Sequence, residues 1–301
     1  MSGRPDRAAP SLSLVVCTRD RAERLPEMLG FLSQLASPEP WEIVVVDNAS
    51  VDGTARQLTG FAASAPVPTV LVHERRSGLA NARNAGVAAS RAPIVAFIDD
   101  DCYPSSTLVD EWLAVFADPA VGYGSGRILL HDPGDAPVTI RDDAEPWYFR
   151  PGSYVRPGVI QGANMALRRE VLEAVGGFDP ILGPGAPFNC EDVDIAARAS
   201  ALGWGGGYFP GPTVRHHHGR RPGPELDALL ASYDHGRGAY WASLLLRSGS
   251  RRHGLRNLMV SVVRKPSSVL RRELAGMVEY ISYRRRSRSP APDGERRRAR
   301  R

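Results

Sequence analysis

The chain has 301 residues, 43% of them hydrophobic and 24% charged, which allows one large α/β domain or two smaller ones with a substantial core and excludes a disordered chain. Its net charge of +5 conceals a segregation of sign: residues 1–246 carry 21 Lys/Arg against 29 Asp/Glu, and residues 247–301 carry 17 against 4. Cys17, Cys102 and Cys190 are scattered and lack CxxC spacing, which points to a reducing compartment and away from a disulfide framework or a zinc site.

Residues 1–10 are polar and Pro/Ala-rich with no apolar h-region, so they predict a loose N-terminus and no secretory signal. No run approaches the roughly 18 apolar residues that a membrane span requires. Leu12 to Cys17 predicts a first strand, and Thr18-Arg19-Asp20-Arg21 a turn into a helix with Leu25, Met28, Leu29, Leu32 and Leu35 at helical spacing. A second strand, Trp41 to Val46, ends in the turn-rich stretch Asp47 to Thr54, which opens a short helix. Thr69 to Val72 predicts a third strand, and residues 77–86 a helical segment.

Next come Pro93 to Ile98, an apolar run without alternation, and then Asp99, Asp100 and Asp101. Such a run predicts a strand buried on both faces, as in a parallel sheet covered by helices. Four β-then-α alternations predict a doubly wound sheet, whose ligands lie beyond the carboxyl ends of the strands. Three adjacent carboxylates there repel one another unless a cation or strong donors neutralise them, so they predict a metal–diphosphate site, with a solvated acidic turn as the alternative.

A helix from residue 107 and a strand near 122–130 follow. Residues 131–158 form a long irregular stretch bearing Trp147, Tyr148, Phe149 and Tyr154, which reads as an ordered or substrate-ordered loop. A strand from Ile160 to Leu167 leads into a helix over 169–175, closed by Gly176-Gly177. Glu191, Asp192 and Asp194 open another helix, and a strand near 207–209 precedes His216, His217 and His218. Apolar positions from 255 to 281 predict two helices separated by Pro266, with arginines on their polar sides, and residues 284–301 predict a disordered Arg-rich tail.

In order and spacing, six pieces resemble the inverting family 2 glycosyltransferases of the GT-A fold: 45–54, 78–84, 97–101, 162–169, 176–179 and 191–194. The resemblance implies a mixed, mostly parallel sheet flanked by helices, within a catalytic domain over 11–230. Residues 11–105 would be its nucleotide-sugar half and 106–230 its acceptor half, with a C-terminal helical extension over 231–283. It implies an enzyme that moves a sugar from a nucleotide-diphosphate donor to a hydroxyl acceptor by single displacement.

The implied roles follow residue by residue. Asp192 is the base and Glu191 supports it or positions the acceptor. Asp101, Asp99 and His216 hold a divalent ion, Mn²⁺ or Mg²⁺, with His218 the second choice among the histidines. Thr18, Arg19, Asp47, Asp52, Gly78, Arg83, Asn84, Asp99 and Asp100 bind the nucleotide. Asp52 reads equally as a turn or cap residue, Arg83 also as a surface salt-bridge partner, and the three histidines also as a structural or surface cluster.

The scattered cysteines and the lack of a signal or a span place the protein in the cytoplasm. Two basic amphipathic helices beside a polyarginine tail read either as a peripheral anchor at the inner face of an anionic membrane or as helices packed on the catalytic domain with a solvated tail. No nucleic-acid partner is expected, because the body is acidic. The rival reading is a non-catalytic protein that binds a sugar nucleotide or nucleic acid. Donor, sugar and acceptor are left open.

Overall fold

In the computed structural model, which describes residues 8–288, the apolar runs become strands buried along almost their whole length. They are β1 (Leu12–Thr18), β2 (Trp41–Asp47) and β4 (Ile94–Asp99), joined at the edge by the half-buried β3 (Thr69–His73), all mutually parallel in the order β3-β2-β1-β4. Both faces are covered by helices α1 (Leu25–Leu32), α2 (Thr54–Ser64) and α3 (Leu79–Ala89). Burial on both faces explains the lack of alternation in β1, β2 and β4. Register sets Thr18 opposite Asp47 and Cys17 opposite Asp99, so the polar termini of three strands emerge together.

The second part of the sheet is mixed. β5 (Cys102–Pro104) follows the aspartates, and α4 (Leu108–Phe116) leads to β6 (Val121–Leu130). β7 (Trp147–Phe149) lies inside the stretch expected to be irregular, and β8 (Asn164–Arg168) begins four residues later than the expected Ile160. Ile160 makes only an isolated bridge to Pro157, and a turn follows at 162–163, with the Asn164 amide bonded to the Gln161 carbonyl. After α5 (Arg169–Val175) and α6 (Glu191–Ala201) comes β9 (Gly205–His216). The sheet continues β4-β8-β6-β9-β5, with β8 antiparallel to β4 and β6, β9 parallel to β6, and β5 and β7 antiparallel to β9.

Helix α3 rests on the sheet at Gly86, where a methyl group would overlap Val15 and touch Val46. This close approach brings the first turn of α3 to the carboxyl ends of β1 and β2. Ahead of it Gly78 adopts φ +116°, a conformation that a side chain would strain.

The chain divides into two units, at 228/229. The second contains most of α7 (Pro224–Leu246), together with α8 (Arg251–Arg264) and α9 (Ser267–Arg288). Pro266 does separate α8 from α9, whereas α7, most of which falls within the helical extension expected over 231–283, was not marked as a helix of its own. The fully buried Glu273 on α9 accepts from Arg237 Nε at 2.7 Å and from Ser261 and Lys265. Gly238 and Gly276 let α7 and α9 approach until a Cβ on either would overlap the other helix's backbone. Helix α9 runs on through Arg288, so five residues assigned to the tail are helical. The expectations for residues 1–7 and 289–301 lie outside the described residues.

Candidate active site

The carboxyl ends of β1, β2 and β4, the first turn of α3 and the end of β9 surround a cavity of about 320 Å³. It is lined by Cys17, Thr18, Arg19, Arg21, Asn48, Gly78, Leu79, Ala82, Asp99, Asp100, Asp101, Pro184, Gly185, His216 and Arg220. This volume lies at the small end of ordinary ligand sites. The α3 N-terminus and three arginines make one side attractive to an anion, and the aspartates make the other attractive to a cation.

The three adjacent aspartates avoid mutual repulsion by diverging. Asp99 Oδ1 accepts from Arg83 Nη2 at 3.1 Å. Asp100 accepts from the Thr18 hydroxyl at 2.6 Å and lies 3.5 Å from Arg21 Nε. Asp101 Oδ1 lies 3.2 Å from His216 Nε2, and its other oxygen 3.8 Å from Arg21 Nη2. Burial pushes the Asp100 carboxyl up to about 6 despite Arg21. Burial acts on Asp101 too, but the hydrogen bond and charge of His216, with Arg21 and Arg220, hold it below the usual carboxylate range.

Asp101 and His216 fit a divalent ion. Their facing atoms are 3.2 Å apart, close to the roughly 3.0 Å edge of an octahedron with ~2.1 Å bonds. One oxygen and one imidazole suit Mn²⁺. Cys102 also lies within this cluster, and burial raises its thiol well above the ordinary value. The Cys17 thiol on the cavity wall is likewise pushed up to about 12 by burial, so neither sulfur serves as a nucleophile near neutrality.

Behind this wall lies a buried ionic relay. Arg83, 2% exposed, donates Nη1 to Glu191 Oε1 at 3.0 Å and Nη2 to Asp99 and to the Gly162 carbonyl. Its guanidinium also lies over the Phe178 ring. Asp192 accepts from the amides of Gly162 at 3.0 Å and Val193 at 2.7 Å. Burial, reinforced by the neighbouring Asp192 charge, raises Glu191 to about 7, and burial raises Asp192 as well. Replacing Arg83 with methionine is expected to destabilise the fold by about 3–5 kcal/mol, since it strands two carboxylates. Urea denaturation checks this, and an unchanged midpoint would refute the relay's structural importance.

Thr18, Arg19, Gly78, Asp99, Asp100, Asp101 and His216 all reach the cavity, whereas four residues assigned to the nucleotide do not line it. Arg83 is enclosed by the acids it joins. Asn84 exchanges both amide bonds with the Phe178 backbone, at 2.8 and 2.7 Å, which gives it a packing role. Asp47, 5% exposed, accepts from the Ser50 amide and faces His73 Nδ1 at 3.2 Å. Exposed Asp52 accepts from the amides of Thr54 and Ala22, the turn role noted as its alternative. A hydrogen bond from the Thr54 side chain, together with those amide bonds, holds its carboxyl below the usual value.

Asn48, Arg21 and Arg220 line the cavity without having been assigned. Asn48 follows Asp47 in the same turn, and its Oδ1 receives the Gly78 amide at 3.0 Å. Arg21 belongs to the turn after β1, and the one available signal was its place two residues beyond Arg19. Arg220 lies four residues after His216. Of the three histidines, only His216 faces Asp101, with its Nδ1 3.4 Å from the Thr139 hydroxyl. His218 is buried with Nδ1 3.6 Å from Asp135.

The sheet order and flanking helices are those of the GT-A glycosyltransferase fold. Among solved structures, the mannosyltransferase PcManGT of Pyrobaculum calidifontis, in complex with GDP-Man and Mn²⁺, superposes with a TM-score of 0.63 at 19% identity, covering 91% of this chain and 87% of that one. S. aureus TarS 1-349 in complex with UDP-GlcNAc gives a TM-score of 0.64 at 14% identity, over 90% and 81%. The profile described as Glycosyl transferase family 2 matches residues 13–176, and the chain belongs to that family. Glycosyltransferase AglE of Haloferax volcanii is 26% identical over 196 residues, 65% of this chain. The chain spans 63% of AglE's length.

Proposed function

We propose that the protein is a metal-dependent, inverting glycosyltransferase acting on a nucleotide-diphosphate sugar. The observation that carries this reading is the Asp101–His216 pair on the wall of a cavity shared with Thr18, Asn48 and the Gly78 end of α3. The complexes of PcManGT with GDP-Man and of TarS with UDP-GlcNAc support a donor of that class.

Arg19, Arg21, Arg220 and the α3 N-terminus would bind the diphosphate, and Asn48 would orient the nucleoside. A Mn²⁺ or Mg²⁺ ion held by Asp101 and His216, with Asp99, would supply Lewis-acid neutralisation of the leaving group. The acceptor hydroxyl attacks the anomeric carbon, its proton passes to the Asp192 carboxylate, and the bond to the nucleoside diphosphate breaks on the opposite face. Burial raises Asp192 towards the range in which a carboxylate accepts a proton effectively. Calorimetric titration with UDP-, GDP- and dTDP-sugars, with and without Mn²⁺, tests the reading. One donor binding only with metal is the expected result, and no response to any of them would overturn it.

Within the second unit, α8 exposes Leu255, Met259, Val262 and Val263 beside Arg252, Arg256 and Arg264. This pattern suits the surface of an anionic bilayer, at the inner face of the membrane. Among the described residues, no helix is long and apolar enough to cross one. The protein is expected to float with vesicles containing anionic lipid and not with neutral ones; equal recovery from both would refute an electrostatic anchor.

A further inference from the structure

Among the described residues, a second cluster with metal-ligand chemistry lies outside the cavity, on the other side of the β9 exit. Glu27 on α1, His131 just after β6 and His217 just after β9 bring one carboxylate oxygen and one nitrogen from each imidazole within 4.8 Å of one another. Ligands of a tetrahedral zinc ion with ~2.1 Å bonds stand about 3.4 Å apart, so modest rotamer closure would complete a three-ligand set.

Two further features mark the cluster as more than a surface coincidence. His131 Nδ1 is buried and has no hydrogen-bond partner. The two imidazoles lie 4.6 Å apart between centroids, and Tyr103 holds the remaining ligands in place. Its hydroxyl donates to Glu27 Oε2 at 2.6 Å and lies 3.1 Å from His217 Nδ1, while its ring stacks on Phe31 at 4.6 Å. A tyrosine that orients both a carboxylate and an imidazole is the kind of outer partner that metal ligands use.

We propose that Glu27, His131 and His217 form a second metal site, selective for a borderline transition ion such as Zn²⁺ and separate from the Asp101–His216 site. Two imidazoles and one carboxylate disfavour Mg²⁺ and Ca²⁺, which take oxygen ligands. Glu27 is half exposed, which leaves the remaining coordination position to water. The ion joins α1 to the ends of β6 and β9. The backbone carries that clamp to the cavity: the His217 amide donates to the Asp101 carbonyl at 2.8 Å, and the His131 amide to the His216 carbonyl at 3.1 Å. The second site therefore stiffens the segment bearing His216, whatever reaction the cavity supports.

The test uses untagged full-length protein stripped with chelator, in wild-type form and with Asp101→Ala and His216→Ala combined. Each is titrated with Zn²⁺ by calorimetry and with Co²⁺ by visible absorption. The double variant is expected to bind one equivalent of Zn²⁺, to show the visible bands of low-coordinate Co²⁺, and to melt at a higher temperature with Zn²⁺. Adding Glu27→Gln, a change at a half-exposed position, is expected to weaken Zn²⁺ binding at least about tenfold. Wild-type protein should show the same weakening in its own Glu27→Gln variant, a comparison that stands even where the double variant folds poorly. The proposal is overturned if the double variant, shown to be folded by its melting transition, binds no Zn²⁺, or if Glu27→Gln and His131→Gln bind as tightly as their parents.

Discussion

Asp101→Ala is expected to remove metal-stimulated donor binding and to lower turnover by at least about 10²-fold, the usual effect of deleting a charge stabiliser at a leaving group. Asp101 is the right aspartate to single out because of its surroundings. Asp99 is engaged by Arg83 and Asp100 by Thr18 and Arg21, whereas Asp101 faces His216 across 3.2 Å on the cavity wall. Asp100→Ala should therefore cost less than Asp101→Ala, since it removes a Thr18 hydrogen bond and leaves the His216 pair intact. Donor titration at increasing Mn²⁺ checks the ranking. Wild-type donor affinity in the Asp101 variant at saturating Mn²⁺ would exclude it as a ligand.

Asp192→Asn is expected to reduce kcat by about 10²–10⁴-fold, the contribution of a positioned base, with donor affinity little changed. Asp192 does not line the donor cavity, and asparagine retains an oxygen for the Gly162 amide. The pH profile supplies a second readout. A base works ionised, so kcat/KM rises with pH through the apparent pKa of the Glu191–Asp192 pair. Burial raises both members, Glu191 to about 7, so activity should fall at a pH higher than an ordinary carboxylate would dictate. Loss of the Arg83 cation, which lowers both, should move the acid limb higher still. A limb near pH 4 in wild-type protein would rule the pair out as the titrating base.

Much of the architecture was legible from residue types in a row. β1, β2 and β4 are solid apolar runs because helices cover both their faces, and α5 spans the expected 169–175. β5 and β7 went unrecognised because three residues carry no usable period, and only pairing with β9 makes them strands. α7 went unrecognised because its tyrosines, glycines and small residues form no apolar stripe.

The site divides along the same line. The aspartates at the end of β4 and the acids opening α6 could be located by position alone, because parallel strands deliver their carboxyl ends to one edge and helix starts favour acids. The partner of each charge could not. Asn84 was counted among the donors to the nucleotide, yet it bonds a backbone 94 residues away. Arg83 joins acids 16 and 108 residues distant.

Residue order along the chain was enough for the long apolar strands, the order of the acidic motifs and the family. Only the tertiary structure decided which aspartate faces a histidine, which arginine is enclosed and which carboxylates are raised. The reason is physical: strand formation and motif order depend on neighbours along the chain, whereas ionic pairing and desolvation depend on distance and burial in space.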